Sequence, residues 1–212
     1  VNAVLRAYTR TPGVLLPEGE SVTPAEGLSV ACSVLTALAE KFIRVYGEER
    51  AEKILNAFGQ NPAITLRVNS LKTSREALAS MLGGAEPTAL SGDGLRLRGS
   101  VRELPGFEEG LFFVQDEASQ LCVEALGAIP GDTVMDVCAC PGSKSFGCAV
   151  RMRNTGRVFS FDLHEKKLSL IESGAQRLGI TIITPSVQDA REPIAELVGR
   201  ADRVLCDVPC SG

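Results

Sequence analysis

The chain has 212 residues, of which 44% are hydrophobic, so it can bury the core of one or two domains. No apolar run approaches the ~18 residues that a membrane-spanning helix needs, and the N-terminus lacks the layout of a signal peptide. The formal net charge of -4 argues weakly against a nucleic-acid-binding protein, and seven cysteines without a disulfide-like pattern indicate reduced thiols in a cytoplasmic protein.

The first 59 residues read as helical. Residues 1–9 have the apolar spacing of the last turns of a helix whose start is missing, and both ends of the chain read as cut. The stretch from Thr11 to Gly27 predicts a linker, and residues 30–46 predict a helix closed by Gly47. A second predicted helix ends at Gly59 and turns four apolar residues inward: Ala51, Ile54, Leu55 and Phe58.

Residues 60–110 predict a small α+β subdomain. Ile64–Val68 is a strand candidate, Thr73-x-x-Glu76 has the pattern of a capping box, and Gly92-Asp93-Gly94 indicates a hairpin. The basic residues of this part form either a phosphate-binding face or an ordinary solvated surface: Arg67, Lys72, Arg75, Arg96, Arg98 and Arg102.

Strands and helices alternate from Leu111 onward, which predicts a doubly wound, mostly parallel α/β sheet over residues 111–212. The predicted strands are 111–114, 133–137, 157–161, 180–184 and 203–208. The predicted helices lie between them, at 143–153, 165–178 and 194–198, with one more after Val114 whose inward face carries Ala118, Leu121, Cys122, Ala125 and Leu126.

Distinctive residues fall at the carboxyl ends of these strands, where open α/β sheets bind ligands. The strand TVMDV runs into the loop of Cys138, Ala139, Cys140, Pro141, Gly142, Ser143 and Lys144, and Asp162, Asp189 and Asp207 each follow a later strand. The loop has too few glycines for a dinucleotide site and lacks the two glycines of a P-loop. S-adenosylmethionine has no phosphate to bind, so one tight turn and acids for its ribose and adenine favour that cofactor.

The segments DVCACPGSK, FDLHEKKL and VLCDVPCSG, together with LRVNSLKTSREAL and FFVQDEASQ upstream, resemble the Sun/Fmu family of ribosomal-RNA cytosine-C5 methyltransferases. The resemblance covers nearly the whole chain. It implies a Rossmann-like methyltransferase sheet, preceded by a small α+β subdomain and by the last helix of an all-helical, NusB-like RNA-binding domain. Amine methylases with this fold carry an aromatic residue where this chain has Cys210, which points to covalent pyrimidine chemistry.

The resemblance also implies roles by position. Cys138 to Lys144 would form the cofactor loop, Asp162 would hold the ribose and Asp189 the adenine, and Asp207 would lie between cofactor and cytosine. Lys144, Asp207 and Cys210 would belong to the catalytic centre. The substrate would be RNA, with 16S ribosomal RNA as the expected target.

The implied mechanism passes through a covalent cysteine–C6 intermediate, since C5 of cytosine is too poor a nucleophile to be methylated unaided. In the family the attacking cysteine belongs to a later motif, beyond Gly212, and Cys210 matches the cysteine assigned to product release. The family loop usually reads C-A-x-P-G-G-K, so Ser143 replaces its second glycine. Serine is tolerated there unless the backbone needs positive φ.

Other interpretations stay open. Cys138-x-Cys140 is a weak zinc signal without a second pair, so no metal is expected. Cys122, Cys148 and Cys206 are interpreted as small buried hydrophobes and His164 as a helix cap or a solvent contact. The chain could instead be a non-catalytic RNA-binding or assembly module, or a methyltransferase acting on another substrate such as protein.

Overall fold

A computed structural model describes residues 23–58, 63–98, 101 and 103–208, which form two compact units on either side of Pro62. The predicted helix at 1–9 lies outside these residues. Among the residues described, no helix is both long and apolar enough to cross a membrane.

The first unit contains three helices, α1 (Pro24–Cys32), α2 (Thr36–Tyr46) and α3 (Glu48–Phe58). The predicted linker from Thr11 to Gly27 lies outside the described residues up to position 22 and is wrong at 24–27, and the single helix predicted over 30–46 is wrong because two helices share that stretch. Thr23 and Glu26 form a reciprocal capping box in which Pro24 takes the first helical position, so α1 begins inside the supposed linker. It ends at Ser33, whose φ of 54° is left-handed. Leu28, Ala39, Ala51 and Leu55 are buried together, whereas Phe58, predicted inward, is 58% exposed.

The second unit begins with a four-stranded antiparallel sheet and one helix. The elements are β1 (Ile64–Val68), α4 (Arg75–Leu82), β2 (Glu86–Pro87), β3 (Gly94–Leu97) and β4 (Phe112–Val114). The strand order in this sheet is β2-β3-β1-β4. The strand at 111–114 therefore exists, but it pairs with β1 in this sheet and does not open the parallel one. The predicted cap of α4 is also wrong by one residue, because the hydroxyl of Ser74, not of Thr73, accepts the hydrogen bond from the amide of Ala77.

The side of helix α5 (Glu117–Leu126) that packs against the core is opposite to the predicted side. Its buried residues are Gln120 and Val123, whereas Ala118, Cys122 and Ala125 are exposed. Gln120 is satisfied inside the protein, since its side-chain amide donates to the carbonyls of Leu66 and Gln115 at 3.2 and 2.9 Å. A buried amide with this many partners costs little, so the polar residue takes the inner position.

The rest of the unit alternates strands and helices: β5 (Thr133–Asp136), α6 (Ser143–Arg151), β6 (Arg157–Asp162), α7 (Glu165–Leu178), β7 (Ile183–Val187), a 3-10 helix (Ala195–Leu197) and β8 (Arg203–Leu205). The four strands form a parallel sheet in the order β7-β6-β5-β8, which confirms the predicted α/β fold. β7 starts three residues later than predicted. Since β5 lies between β6 and β8, the carboxyl ends of these three strands meet at one edge.

The core beneath this edge is apolar and well buried. Val134 and Val158 of the sheet pack with Met152, Ile171 and Leu178 from the helical side. Cys148 lies in the same cluster, as predicted, but Cys122 and Cys206 are exposed and that part of the prediction is wrong.

Candidate functional site

The loop that follows β5 is a tight turn held by its own backbone and by the neighbouring strand. The amide of Ala139 donates to the carbonyl of Phe161 at 2.7 Å, and the amide of Gly142 donates to the carbonyl of Ala139 at 2.7 Å. The helix α6 starts at once with Ser143. The predicted loop thus runs from a strand end directly into a helix N-terminus.

Only one of the two family glycine positions needs glycine. Gly142 has a φ of 108°, and a Cβ there would come within 2.5 Å of the Phe146 ring. Ser143 lies outside the left-handed region, so serine fits where the family usually has its second glycine.

Asp136, the last residue of β5, is a buried carboxylate that faces this loop. It is 1% exposed, and its Oδ2 accepts a 2.7 Å hydrogen bond from the hydroxyl of Ser145, which in turn accepts one from Ser160. Its Oδ1 is buried without a hydrogen-bond partner among the described residues. Burial raises the pKa of Asp136 to about 6, against the opposing effects of the Ser145 hydroxyl, the Cys138 amide and the charge of Lys144.

Asp136 lies at the wall of a cavity of about 60 Å³. The remaining lining comes from the loop and from the segment that follows β8: Cys138, Ala139, Cys140, Pro141, Ser143, Lys144 and Asp207. Lys144 and Asp207 form an ion pair across it, with Nζ and Oδ2 2.5 Å apart. The structure therefore brings the whole loop except Gly142 together with Asp207 around one small space.

Asp162 and Asp189 lie at the same edge but do not line that cavity. Asp162 ends β6, and its Oδ1 accepts a hydrogen bond from the amide of His164 at 3.0 Å. Asp189 follows β7 and accepts hydrogen bonds from the guanidinium of Arg191 through both carboxylate oxygens. These hydrogen bonds from Arg191 lower the pKa of Asp189 to about 2. Cys210 lies outside the described residues.

The family described as 16S rRNA methyltransferase RsmB/F matches residues 123–212, and the ferredoxin-like domain of the same family matches residues 37–102. The chain belongs to the RsmB/F family. The resemblance to the Sun/Fmu family is thereby confirmed.

Curated relatives agree with the RsmB/F assignment, and solved structures share the fold. A probable ribosomal RNA small subunit methyltransferase B from Synechocystis is 36% identical over all of this chain and 49% of its own length. The crystal structure of PH0851 is 28% identical, with a TM-score of 0.81 over 92% of this chain and 45% of that one. NSun6 from Pyrococcus horikoshii with SFG has the same fold, with a TM-score of 0.75 at 20% identity over 82% of this chain and 70% of that one. The chain spans about half the length of the curated relatives it matches.

The two thiols of the RsmB/F loop are poor nucleophiles. Burial, followed by the negative charges nearby, raises the pKa of both Cys138 and Cys140. The Sγ of Cys140 also donates to the carbonyl of Lys167 at 3.4 Å. Both groups therefore stay protonated at neutral pH, and a protonated thiol is a poor nucleophile.

Two of the basic residues considered for phosphate binding make hydrogen bonds within the protein, although only Arg67 is buried and Lys72 is exposed. Arg67 is fully buried, and the Nζ of Lys72 donates to the carbonyls of Glu109 and Arg177 at 2.8 and 3.0 Å. Arg96 and Arg98 are exposed, and Arg102 lies outside the described residues. A phosphate-binding face made of all six residues is therefore wrong.

The sequence analysis missed Asp136, Ser145 and Ser160. One signal was present: in TVMDV the aspartate lies on the same side of the strand as the buried Val134. A carboxylate at a core position is rarely stable without hydrogen-bond or charge partners. Ser145 and Ser160 gave no such signal, since isolated serines are common in helices and strands.

Proposed function

We propose that this chain binds S-adenosylmethionine and belongs to an enzyme that methylates carbon 5 of a cytosine in 16S ribosomal RNA. The observation that carries this proposal is the joining of the loop, Asp136 and the Lys144–Asp207 pair at the carboxyl edge of a methyltransferase-type sheet in an RsmB/F chain. The ribosomal RNA target is supported by the name of the Synechocystis relative.

The residues present fit this cofactor. S-adenosylmethionine carries a positive sulfonium and a positive ammonium group, and the buried Oδ1 of Asp136 lacks a donor at the loop wall. An orphaned buried carboxylate oxygen is costly unless a ligand supplies a donor or a positive charge. The loop offers one left-handed glycine and no phosphate cradle, as a cofactor without phosphate requires.

Each acid would have its own part in holding the cofactor. Cys138 to Lys144 would form the loop that contacts the cofactor, and Asp162 would accept hydrogen bonds from the ribose. Asp189 would contact the adenine while its carboxylate also binds Arg191. Asp207, paired with Lys144, would lie between cofactor and cytosine. The exposed Arg96 and Arg98 are the candidates for contact with RNA in the subdomain at 60–110.

When bound, S-adenosylmethionine supplies an electrophilic methyl group. The protein's task is to make C5 nucleophilic. A cysteine thiolate adds to C6, a proton or hydrogen bond is given to N3, and the electron pair moves onto C5. After methylation a base removes the C5 proton, N3 gives up its proton, and the carbon–sulfur bond breaks to release the thiol. Cys210 is assigned to this release step, and the attacking cysteine to the later family motif.

Asp162→Ala is expected to weaken the binding of S-adenosylmethionine by about 1–3 kcal/mol, because the ribose hydroxyls lose a charged acceptor. Isothermal titration calorimetry on the chain measures this directly. Glu172→Ala removes an exposed carboxylate from α7, away from the strand ends, and should leave the affinity unchanged. Equal affinities for wild type and Asp162→Ala would remove Asp162 from the ribose site.

Cytosine-C5 chemistry is expected to leave a trapped adduct with RNA that contains 5-fluorocytosine, since fluorine at C5 blocks the proton abstraction that precedes release. The full-length enzyme should form this adduct with cofactor present. The chain of 212 residues should bind cofactor without adduct or turnover, because its attacking cysteine belongs beyond Gly212. In the full-length enzyme, methyl transfer to protein without an RNA adduct would replace the RNA proposal, and cofactor binding without any transfer would indicate an assembly module. Labelled methyl at cytosine C5 from the chain alone would show that a cysteine within it suffices.

A further inference from the structure

A chain of buried and partly buried hydrogen bonds connects the antiparallel sheet to the loop at the site. Arg67 of β1 donates from Nη2 to Oδ2 of Asp93 at 3.2 Å and from Nη1 to Oε1 of Gln115 at 3.3 Å. Gln115 then donates from Nε2 to the carbonyl of Ser143 at 3.0 Å. Ser143 is the first residue of α6 and lines the same cavity as its neighbour Lys144. Three polar side chains thus link the turn before β3 to the start of the helix that carries Lys144.

The helix α6 is shaped to accept this connection. Gly147 lies in its interior, and a Cβ there would come within 2.8 Å of the Nη1 of Arg67. Glycine in the middle of a helix is unfavourable compared with alanine. The position is therefore explained by the close approach of the guanidinium to the helix backbone.

Stability alone does not account for Arg67. It is the largest fully buried side chain, its Nε has no hydrogen-bond partner among the described residues, and its one carboxylate partner, Asp93, is 39% exposed. A buried charge with incomplete pairing is a poor way to stabilise a fold, and an apolar side chain of similar size would serve as well or better. What an apolar residue would not supply is a directed hydrogen bond to Gln115.

We propose that Arg67 and Gln115 are positioning residues, which hold the first turn of α6 so that Lys144 and Ser143 face the cofactor. Arg67 orients the side-chain amide of Gln115, because accepting from Arg67 through Oε1 leaves Nε2 directed at Ser143. Neither residue lines the cavity. This inference rests on the proposed binding of S-adenosylmethionine.

The test is Gln115→Glu. The glutamate keeps an oxygen for Arg67 but loses the N–H that binds the carbonyl of Ser143, so only the last link is broken. We expect the dissociation constant for S-adenosylmethionine to rise about tenfold, measured by calorimetry on the chain at a temperature where urea titration shows it folded. Gln115→Met, which removes both bonds at similar volume, provides a second variant if the glutamate does not fold.

The matched control is Leu78→Ala, which removes a buried side chain of the antiparallel sheet's core that takes no part in this connection. It should lower stability more than Gln115→Glu does while leaving cofactor affinity unchanged. If Leu78→Ala weakens binding as much, the effect is a general loss of stability and the positioning role is wrong. If the wild type binds and Gln115→Glu binds equally well, this inference fails and the proposed function stands. A wild type that does not bind S-adenosylmethionine overturns both.

Discussion

Asp136→Asn is expected to raise the free energy of unfolding at pH 7 by about 3 kcal/mol while weakening the binding of S-adenosylmethionine. Burial holds the pKa of this carboxyl at about 6, compared with an ordinary 3.8, so ionising it in the folded protein costs about 3 kcal/mol. Asparagine removes the charge and keeps an oxygen to accept from Ser145. The affinity falls because the positively charged cofactor loses the carboxylate that faces it.

The pH dependence gives this prediction a clear sign. A pKa that is higher in the folded state adds stability that is fully present below about pH 3.8 and is lost as the pH rises through about 6. Urea titrations between pH 4 and pH 8 should therefore show the variant gaining on the wild type as the pH rises, with little difference near pH 4. Glu172→Gln, at an exposed carboxylate, should show no such divergence. A constant difference between Asp136→Asn and wild type at every pH would contradict the buried-charge explanation.

Cys210→Ala in the full-length enzyme is expected to abolish turnover and to accumulate a covalent protein–RNA adduct. The role of this thiol decides the sign of the result. If it assists release, addition at C6 and methyl transfer still proceed through the downstream cysteine, and the adduct persists because elimination is slowed. If it attacks C6 itself, its removal abolishes turnover and adduct together.

Denaturing gel electrophoresis of Cys210→Ala with substrate RNA and cofactor separates these outcomes. A persistent shifted band supports the release role. The matched control is the full-length enzyme in which the downstream cysteine, and not Cys210, is replaced by alanine; it should give no band. A Cys210→Ala protein with neither band nor methylation would make Cys210 the nucleophile and overturn the mechanism proposed for this chain.

The order of strands and helices in the parallel sheet could be predicted because alternation along the chain is a local property. The membership of β4 could not, since three residues of strand do not specify their partner, and here the partner is β1, more than forty residues earlier. The prediction of the N-cap of α4 was wrong for a similar reason. Thr73 begins the Thr-x-x-Glu pattern, but Ser74 also carries a hydroxyl that can cap a helix, and only the path of the backbone decides which hydroxyl faces the free amide.

The prediction of the inward face of α5 was wrong because hydrophobic periodicity assumes that polar residues face water. The buried amide of Gln120 is stabilised by a hydrogen bond to the carbonyl of Leu66, which lies far away in the sequence. A tertiary contact thus allows a polar side chain to face the core. The same limit hid Arg67 and Asp136. Residues that follow strand ends were predictable as site candidates, but their partners were not, because a hydrogen bond between Gln115 and Ser143 leaves no trace in either neighbourhood of the sequence.

The unequal geometry of Gly142 and Ser143 changes how relatives of this chain should be sought. Gly142 is fixed by a left-handed backbone and by the ring of Phe146, whereas the next position takes any small residue with ordinary backbone angles. A search pattern that demands two consecutive glycines would discard this chain although its loop is intact. A pattern that demands the first glycine and an aromatic residue four positions later would keep it.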